Sequence, residues 1–296
     1  MMKRLLYGFL YGFMWLFASL PFAVLYFISD GLYLLLYHVL GYRKKVVRLN
    51  LKNSFPDKTD QERLAIEKRF YHYLCDYFVE EVKLLRISKE ELLRRMKYIN
   101  TDTFLEMVDK HGGIILTIPH YANFEWIIGM GMIMEPGDLP VQIYKPLRNK
   151  YFDQLFKDIR SRFGGYNVAK HDTVRELVKL KRAKKKIVVG LITDQSPGKN
   201  EDNHWTTFLN QDTVFMDGAE RIAKMLNFPV FYCELTRVKR GFCEVDFTLL
   251  TEHPKQTAEG EITEAFVRSV ENTIFREPPY WFWSHKRWKH VKPSGK

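Results

Sequence analysis

The chain has 296 residues, of which 46% are hydrophobic and 15% aromatic, enough for a large core in one large domain or two small ones. Three cysteines, Cys75, Cys233 and Cys243, are an odd number without metal-ligand spacing, which argues against a cysteine metal site and for a reducing compartment. The net charge of +11 suits phosphate-rich partners such as anionic lipid or an acidic carrier protein; nucleic acid fits equally by charge, but no nucleic-acid-binding signature accompanies it.

Leu5 to Ser29 carries no charge, and the apolar character resumes from Gly31 to Tyr42 after Asp30. That is long enough to span a bilayer, but Pro21, Asp30 and Gly31 interrupt it. A tilted span with an interfacial turn and a hairpin that dips in and returns both fit. The run is too long for a secretory signal, although Lys3 and Arg4 resemble its basic start. Tyr7, Tyr11, Trp15, Tyr33, Tyr37 and Tyr42 suit interfacial belts or packing on a catalytic domain. Arg43, Lys44, Lys45, Arg48 and Lys52 outweigh Lys3 and Arg4, which places the rest of the chain in the cytoplasm. Near a membrane such charges grip anionic head groups at roughly 1 kcal/mol each. The expected division is therefore an anchor or hairpin over residues 1–42 and a catalytic domain over 43–296.

Thr59 with Glu62 is a capping box opening a helix whose Phe70, Leu74, Tyr77, Phe78, Val82 and Leu85 share a side. Ser88 with Glu91 opens another. Glu80 and Glu81 read as surface acids, and Thr101 as the cap of a helix ending at Gly112.

The chain's centre is Ile114-Ile115-Leu116-Thr117-Ile118-Pro119-His120-Tyr121-Ala122-Asn123-Phe124-Glu125. The apolar run reads as a buried strand that Pro119 ends. His120 then sits at its carboxyl mouth, where open α/β sheets collect chemistry. Asn123 can cap a helix after it. With His120 on the loop and Glu125 in the helix's first turn, the carboxylate can hold one imidazole nitrogen and leave the other as a base. A capping His and a solvated first-turn Glu give the same pattern without function.

Pro140 to Tyr144 reads as a second strand, with Lys145, Arg148 and Lys150 after it. These suit a solvated turn, or a phosphate or oxyanion site beside His120. After a helix to Phe163 and a short strand comes a basic helix, Arg175 to Lys186. It fits a solvated helix end or a face for an acidic carrier. Ile187 to Ile192 is continuous and apolar, as in a fully buried parallel strand. Asp194 and Gln195 at its end suit a turn, substrate binding, or orientation of the imidazole. Ser196 to Gln211 is a lid candidate. Next come a helix over 216–226, a hairpin around Lys239-Arg240-Gly241 and a helix over 261–275. The tail Pro278-Pro279-Tyr280-Trp281-Phe282-Trp283 suits core packing, lipid contact, or both. Alternating strands and helices make the fold an α/β one: a mixed, largely parallel sheet flanked by helices, behind an apolar N-terminal segment.

His120-Tyr121-Ala122-Asn123-Phe124-Glu125 resembles the H-x4-D/E motif of glycerolipid acyltransferases, and most closely the late acyltransferases of bacterial lipid A assembly. Tyr144-Lys145-Pro146 resembles their Y-R-P segment, with Lys where many members have Arg. Asp194-Gln195 resembles their D-Q segment, Gly218-Ala219 a Gly-Ala helix start, and Trp283-Ser284-His285-Lys286-Arg287 their W-x-H-x-R terminal signature. Thr207-Phe208-Leu209-Asn210 departs from the typical F-F-G. The resemblance covers most of the chain. It implies a membrane-associated enzyme on the cytoplasmic face of a bacterial inner membrane, moving a fatty acyl group from acyl carrier protein, or acyl-CoA, to a lipid hydroxyl. The acceptor it implies is a phosphorylated glycolipid, a lipid A precursor, with lysophospholipid or an aminoacyl lipid as alternatives. His120 would be the base and Glu125 its orienting carboxylate. Lys145, Arg148, Asp194 and Gln195 would bind substrate, with no cofactor and no metal. A non-enzymatic lipid-binding protein and a lipid hydrolase remain the competing readings.

Overall fold

The structure, a computed structural model, describes residues 2–198 and 203–292. Two apolar helices lead, α1 (Met2–Ser19) and α2 (Phe22–Tyr33), separated at Pro21 and continued by a π-helical turn over Leu34–Val39. Phe22–Val39 is long and apolar enough to cross a membrane by length and composition. Both helices lie along α4 and expose Phe9, Phe13, Leu16 and Phe27 on their other sides.

Helix α3 (Lys44–Ser54) carries the basic cluster, much of which is committed within the protein. Arg43 donates to the Ser284 carbonyl, Lys44 to that of Tyr37, and Arg48 to Glu67. Helix α4 (Asp60–Lys83) begins with the expected capping box, Thr59 and Glu62 each accepting from the other's backbone N–H. Glu80 is buried and Glu81 has Oε1 sealed from solvent, so neither is the surface acid its charge suggested. Helix α5 (Lys89–Arg95) is capped by Ser88 and leads into strand β1 (Met96–Tyr98). In helix α6 (Thr101–His111), Thr101 is the first helical residue rather than the cap. The preceding Asn100 adopts the left-handed conformation, and no side chain caps this end. Gly112, also left-handed at φ 72°, ends the helix.

The remaining strands are β2 (Gly113–Ile118), β3 (Leu139–Tyr144), β4 (Tyr166–Ala169), β5 (Ile187–Ile192), β6 (Asn203–Phe208), β7 (Gln211–Met216), β8 (Val230–Lys239) and β9 (Phe242–Thr251). Helices α7 (Lys150–Ser161), α8 (Thr173–Arg182), α9 (Gly218–Leu226) and α10 (Glu261–Arg276) intervene. Seven strands form one sheet in the order β1-β9-β8-β2-β5-β3-β4. Within it the β8–β9 hairpin is antiparallel, and the other pairings are parallel. Central β2 is buried along its whole length, which is why its sequence is apolar rather than alternating. Gly113 lets it pack there: a Cβ would sit 2.7 Å from the Ile187 carbonyl oxygen and 2.9 Å from the Phe228 ring.

Two apolar layers sandwich the sheet, one built with α4 and α10, the other with α8 and α9. Residues 199–202 of the proposed lid lie outside the described residues. From Asn203 onward that segment is ordered as β6, paired antiparallel with β7. In the tail, Trp281 and Trp283 are fully buried core residues, whereas Phe282 is half-buried.

Candidate active site

Parallel register decides which side chains meet at the sheet's carboxyl edge. Ile118 of β2 lies opposite Ile192 of β5, so two residues further on His120 and Asp194 emerge side by side. Asp194 Oδ1 accepts from His120 Nδ1 at 2.5 Å, and Oδ2 from the His120 backbone N–H at 3.0 Å and the Trp281 indole N–H at 2.8 Å. Asp194 is fully buried, while the His120 side chain keeps 19% exposure. Burial pushes the Asp194 carboxyl up, but the His120 imidazole and these three donors outweigh it and hold the carboxyl below its ordinary value. An ionised Asp194 keeps the proton on Nδ1 and leaves the Nε2 lone pair outward, the arrangement a general base needs.

Glu125 does not take that place. It makes no hydrogen bond or ion pair with His120 among the described residues, and it faces a slot lined by Ile118, Phe124, Ile128 and Arg160. The turn between them is the reason. Ala122 is left-handed at φ 47°, fixed by its N–H to the Tyr280 carbonyl at 2.9 Å and by the Tyr73 hydroxyl on its own carbonyl at 2.7 Å. A 3₁₀ helix over Phe124–Met132 then carries Glu125 away from His120, while the Phe124 ring stays edge-on to the imidazole at 4.8 Å. Asn123 caps nothing: its Nδ2 donates to Glu80 Oε2 at 2.6 Å. Glu80 Oε1 accepts from the Tyr26 hydroxyl of α2 at 2.8 Å, so one buried carboxylate joins the loop after His120 to the N-terminal helices. Burial raises the Glu80 carboxyl, offset in part by Arg237.

Lys145 and Arg148 are exposed just beyond β3, and Lys145 lines a large cavity on the α8–α9 face of the sheet. Gln195 is half-buried beside Asp194. Asp194, read as a substrate ligand among other roles, is spent on His120. Three contributors were not foreseen. Trp281 is an aromatic that donates to Asp194, and nothing in its sequence surroundings separates it from core packing. His285 accepts at Nε2 from the Ser196 backbone N–H at 3.4 Å. Burial and the charge of Arg287 lower its pKa to about 4, so it is neutral. Arg287 is buried, its Nη2 donating to the Val214 carbonyl at 2.6 Å, and burial lowers it to about 10. The W-x-H-x-R spacing was the signal for the last two.

The three cysteines are buried and unpaired, and burial pushes the Cys75 and Cys243 thiols up to about 12, unlike a nucleophile's. No group of His, Cys, Asp and Glu among the described residues is arranged to hold a metal.

The chain is 24% identical to the lipid A biosynthesis lauroyltransferase of Escherichia coli (strain K12), over 96% of this chain and 91% of that protein. It is 22% identical to the lipid A biosynthesis acyltransferase of Haemophilus influenzae (strain ATCC 51907 / DSM 11121 / KW20 / Rd), over 92% and 83% respectively. Residues 2–290 match the family model described as bacterial lipid A biosynthesis acyltransferase. The chain therefore belongs to the bacterial lipid A biosynthesis acyltransferase family, and it is an acyltransferase.

Proposed function

We propose that the protein transfers a fatty acyl group from a thioester donor, an acyl carrier protein, to a hydroxyl of a lipid A precursor. The observation that carries the reading is the His120–Asp194 pair, set at a sheet edge between an apolar slot and a cationic cavity. The substrates named for the relatives agree with it.

Nε2 of His120 takes the proton from the acceptor hydroxyl as its oxygen attacks the thioester carbonyl. Asp194 stabilises the imidazolium that forms. When the carbonyl re-forms, the C–S bond breaks and the thiolate leaves with the proton from Nε2. The products are a lipid ester and a thiol. Lys145 or Arg148 steadies acceptor phosphate or the developing oxyanion. Glu125, beside Arg160 in the slot, meets the acyl group being transferred rather than the imidazole. Gln195 contacts substrate next to Asp194. A positioned base is worth roughly 100- to 10,000-fold in rate.

The exposed apolar sides of α1 and α2 seat the enzyme on the cytoplasmic face of a bacterial inner membrane, with residues 43–296 as the catalytic part. The basic helix α8 offers Lys179 and Arg182 to an acidic carrier.

The test supplies purified protein with acyl carrier protein or CoA thioesters, with and without a phosphorylated glucosamine-disaccharide lipid, and tracks products by mass spectrometry. Acceptor-dependent ester formation is expected. Free fatty acid as the sole product would make the protein a hydrolase, and no product from any pairing would refute the reading.

A further inference from the structure

The sheet's carboxyl edge opens onto two unlike spaces. The slot holding Glu125 lies on the α7 face and is narrow, about 90 Å³. On the opposite face, between the ends of β3 and β5 and helices α8 and α9, lies a cavity of about 710 Å³, well within the size of small-molecule sites. Ile143 and Ile192 line both spaces, and Thr193 brings the cavity wall next to Asp194. That wall is the cavity's approach to the His120–Asp194 pair.

The lining has two characters. Leu191, Ile222 and Met225 make an apolar floor. Lys145, Lys170 and Arg221 stand on the lining from three different elements: the end of β3, the turn before α8, and the first turn of α9. Lys170, Arg221 and Asp217 each also interact with other groups of the protein. Asp217 contributes a carboxylate to the same lining. The first residues of α8 and α9, Thr173 and Gly218, line the same space, so two helix dipoles present their positive ends to it. A Cβ on Gly218 would meet nothing within 4 Å, so the backbone there is open to a ligand. Cations converging from three directions match a tetrahedral oxyanion better than a planar carboxylate, which a single fork can satisfy.

We propose that this cavity is a phosphate-ester site, in which Lys170 and Arg221 join Lys145 around the phosphate and the apolar floor takes the attached chain toward His120. The proposal rests on the acyl-transfer reading for its substrate class. Two substrates of that reaction carry such a group: the phosphopantetheine arm of the thioester donor and the sugar phosphate of the lipid acceptor.

Binding to the His120→Ala protein, which needs no turnover, tests it. The probes are 4′-phosphopantetheine against pantetheine, and glucosamine 1-phosphate against glucosamine. One phosphorylated probe is expected to bind roughly tenfold or more tightly than its phosphate-free partner, and which pair discriminates identifies the source. Adding Lys170→Gln and Arg221→Gln should abolish that preference. The pair Lys170→Arg and Arg221→Lys, which keeps both charges, should retain most of it and shows that the rim tolerates substitution. Equal binding within both probe pairs, or a preference that survives the double Gln change, overturns the proposal. A phosphate preference lost on the double Gln change in a protein that transfers no acyl group would sustain the site and refute only the reaction.

Discussion

Replacing Asp194 with Asn tests which carboxylate serves the base. The side chain keeps its shape, and its one oxygen can keep the two bonds now made by Oδ2, from the His120 backbone N–H and the Trp281 indole. The amide nitrogen then falls where Oδ1 accepted from Nδ1 at 2.5 Å. Two donors cannot face each other, so the imidazole must offer Nδ1 as acceptor and carry its proton on Nε2. The base nitrogen is lost without removing the ring. The expected fall in kcat is roughly 100- to 10,000-fold, about 3–5 kcal/mol of barrier, with KM changed little. Steady-state thiol release and lipid mass spectrometry across pH 5–9 measure it, with Glu125→Gln alongside. Glu125→Gln should leave the acid limb of the pH profile, where a general base is lost to protonation, in place, because Glu125 does not touch the imidazole. An Asp194→Asn enzyme within threefold of the parent kcat, together with a Glu125→Gln enzyme that loses that limb, would refute the reasoning.

Glu80→Gln should be nearly neutral in chemical denaturation, because the Asn123 amide can rotate and turn its unpartnered Oδ1 toward the new N–H₂. Glu80→Leu instead strands both the Tyr26 hydroxyl and Asn123, and is expected to cost about 2–4 kcal/mol and to lower kcat. Tyr26→Phe leaves Glu80 Oε1 without its donor and should cost about 1–3 kcal/mol by the same measurement. His285 titrates near 4 when folded and near 6.5 when unfolded, so below pH 6.5 the unfolded chain binds the extra proton. Stability should therefore fall as pH drops from about 6.5 toward 4, and a His285→Gln variant should show a flatter denaturation midpoint over that window. Asp194, held below its ordinary value, adds a further loss only at more acid pH, absent in Asp194→Asn.

The elements of this fold are strongly written in local sequence because each depends on near neighbours. Continuous apolar runs gave β2 and β5, Thr59 with Glu62 the start of α4, and Lys239-Arg240-Gly241 the turn between β8 and β9. His120's place at a strand mouth came from Pro119. Its partner stayed open between Glu125 and Asp194, because the partner is set by the register of β2 on β5, and strands separated by 68 residues leave no local trace of their alignment. Glu125 was the nearer candidate along the chain, and the left-handed Ala122 that turns it aside has no signature in an alanine. Glu80 and Glu81 misled for a related reason: a buried carboxylate looks like any other until the chain supplies donors from distant segments, here Tyr26 and Asn123.

Helix α2 also serves the interior. Ser29 donates to Asp76 at 2.7 Å, Arg240 joins Asp30 to Asp76, and Tyr33 and Tyr37 belong to the main core. Trimming the first 42 residues to gain solubility would strip donors from two buried acids and uncover aromatic core. Detergent or a lipid disc that shields the greasy flank is the sounder handling, and any agent that pries α2 loose should silence turnover well before it melts the sheet.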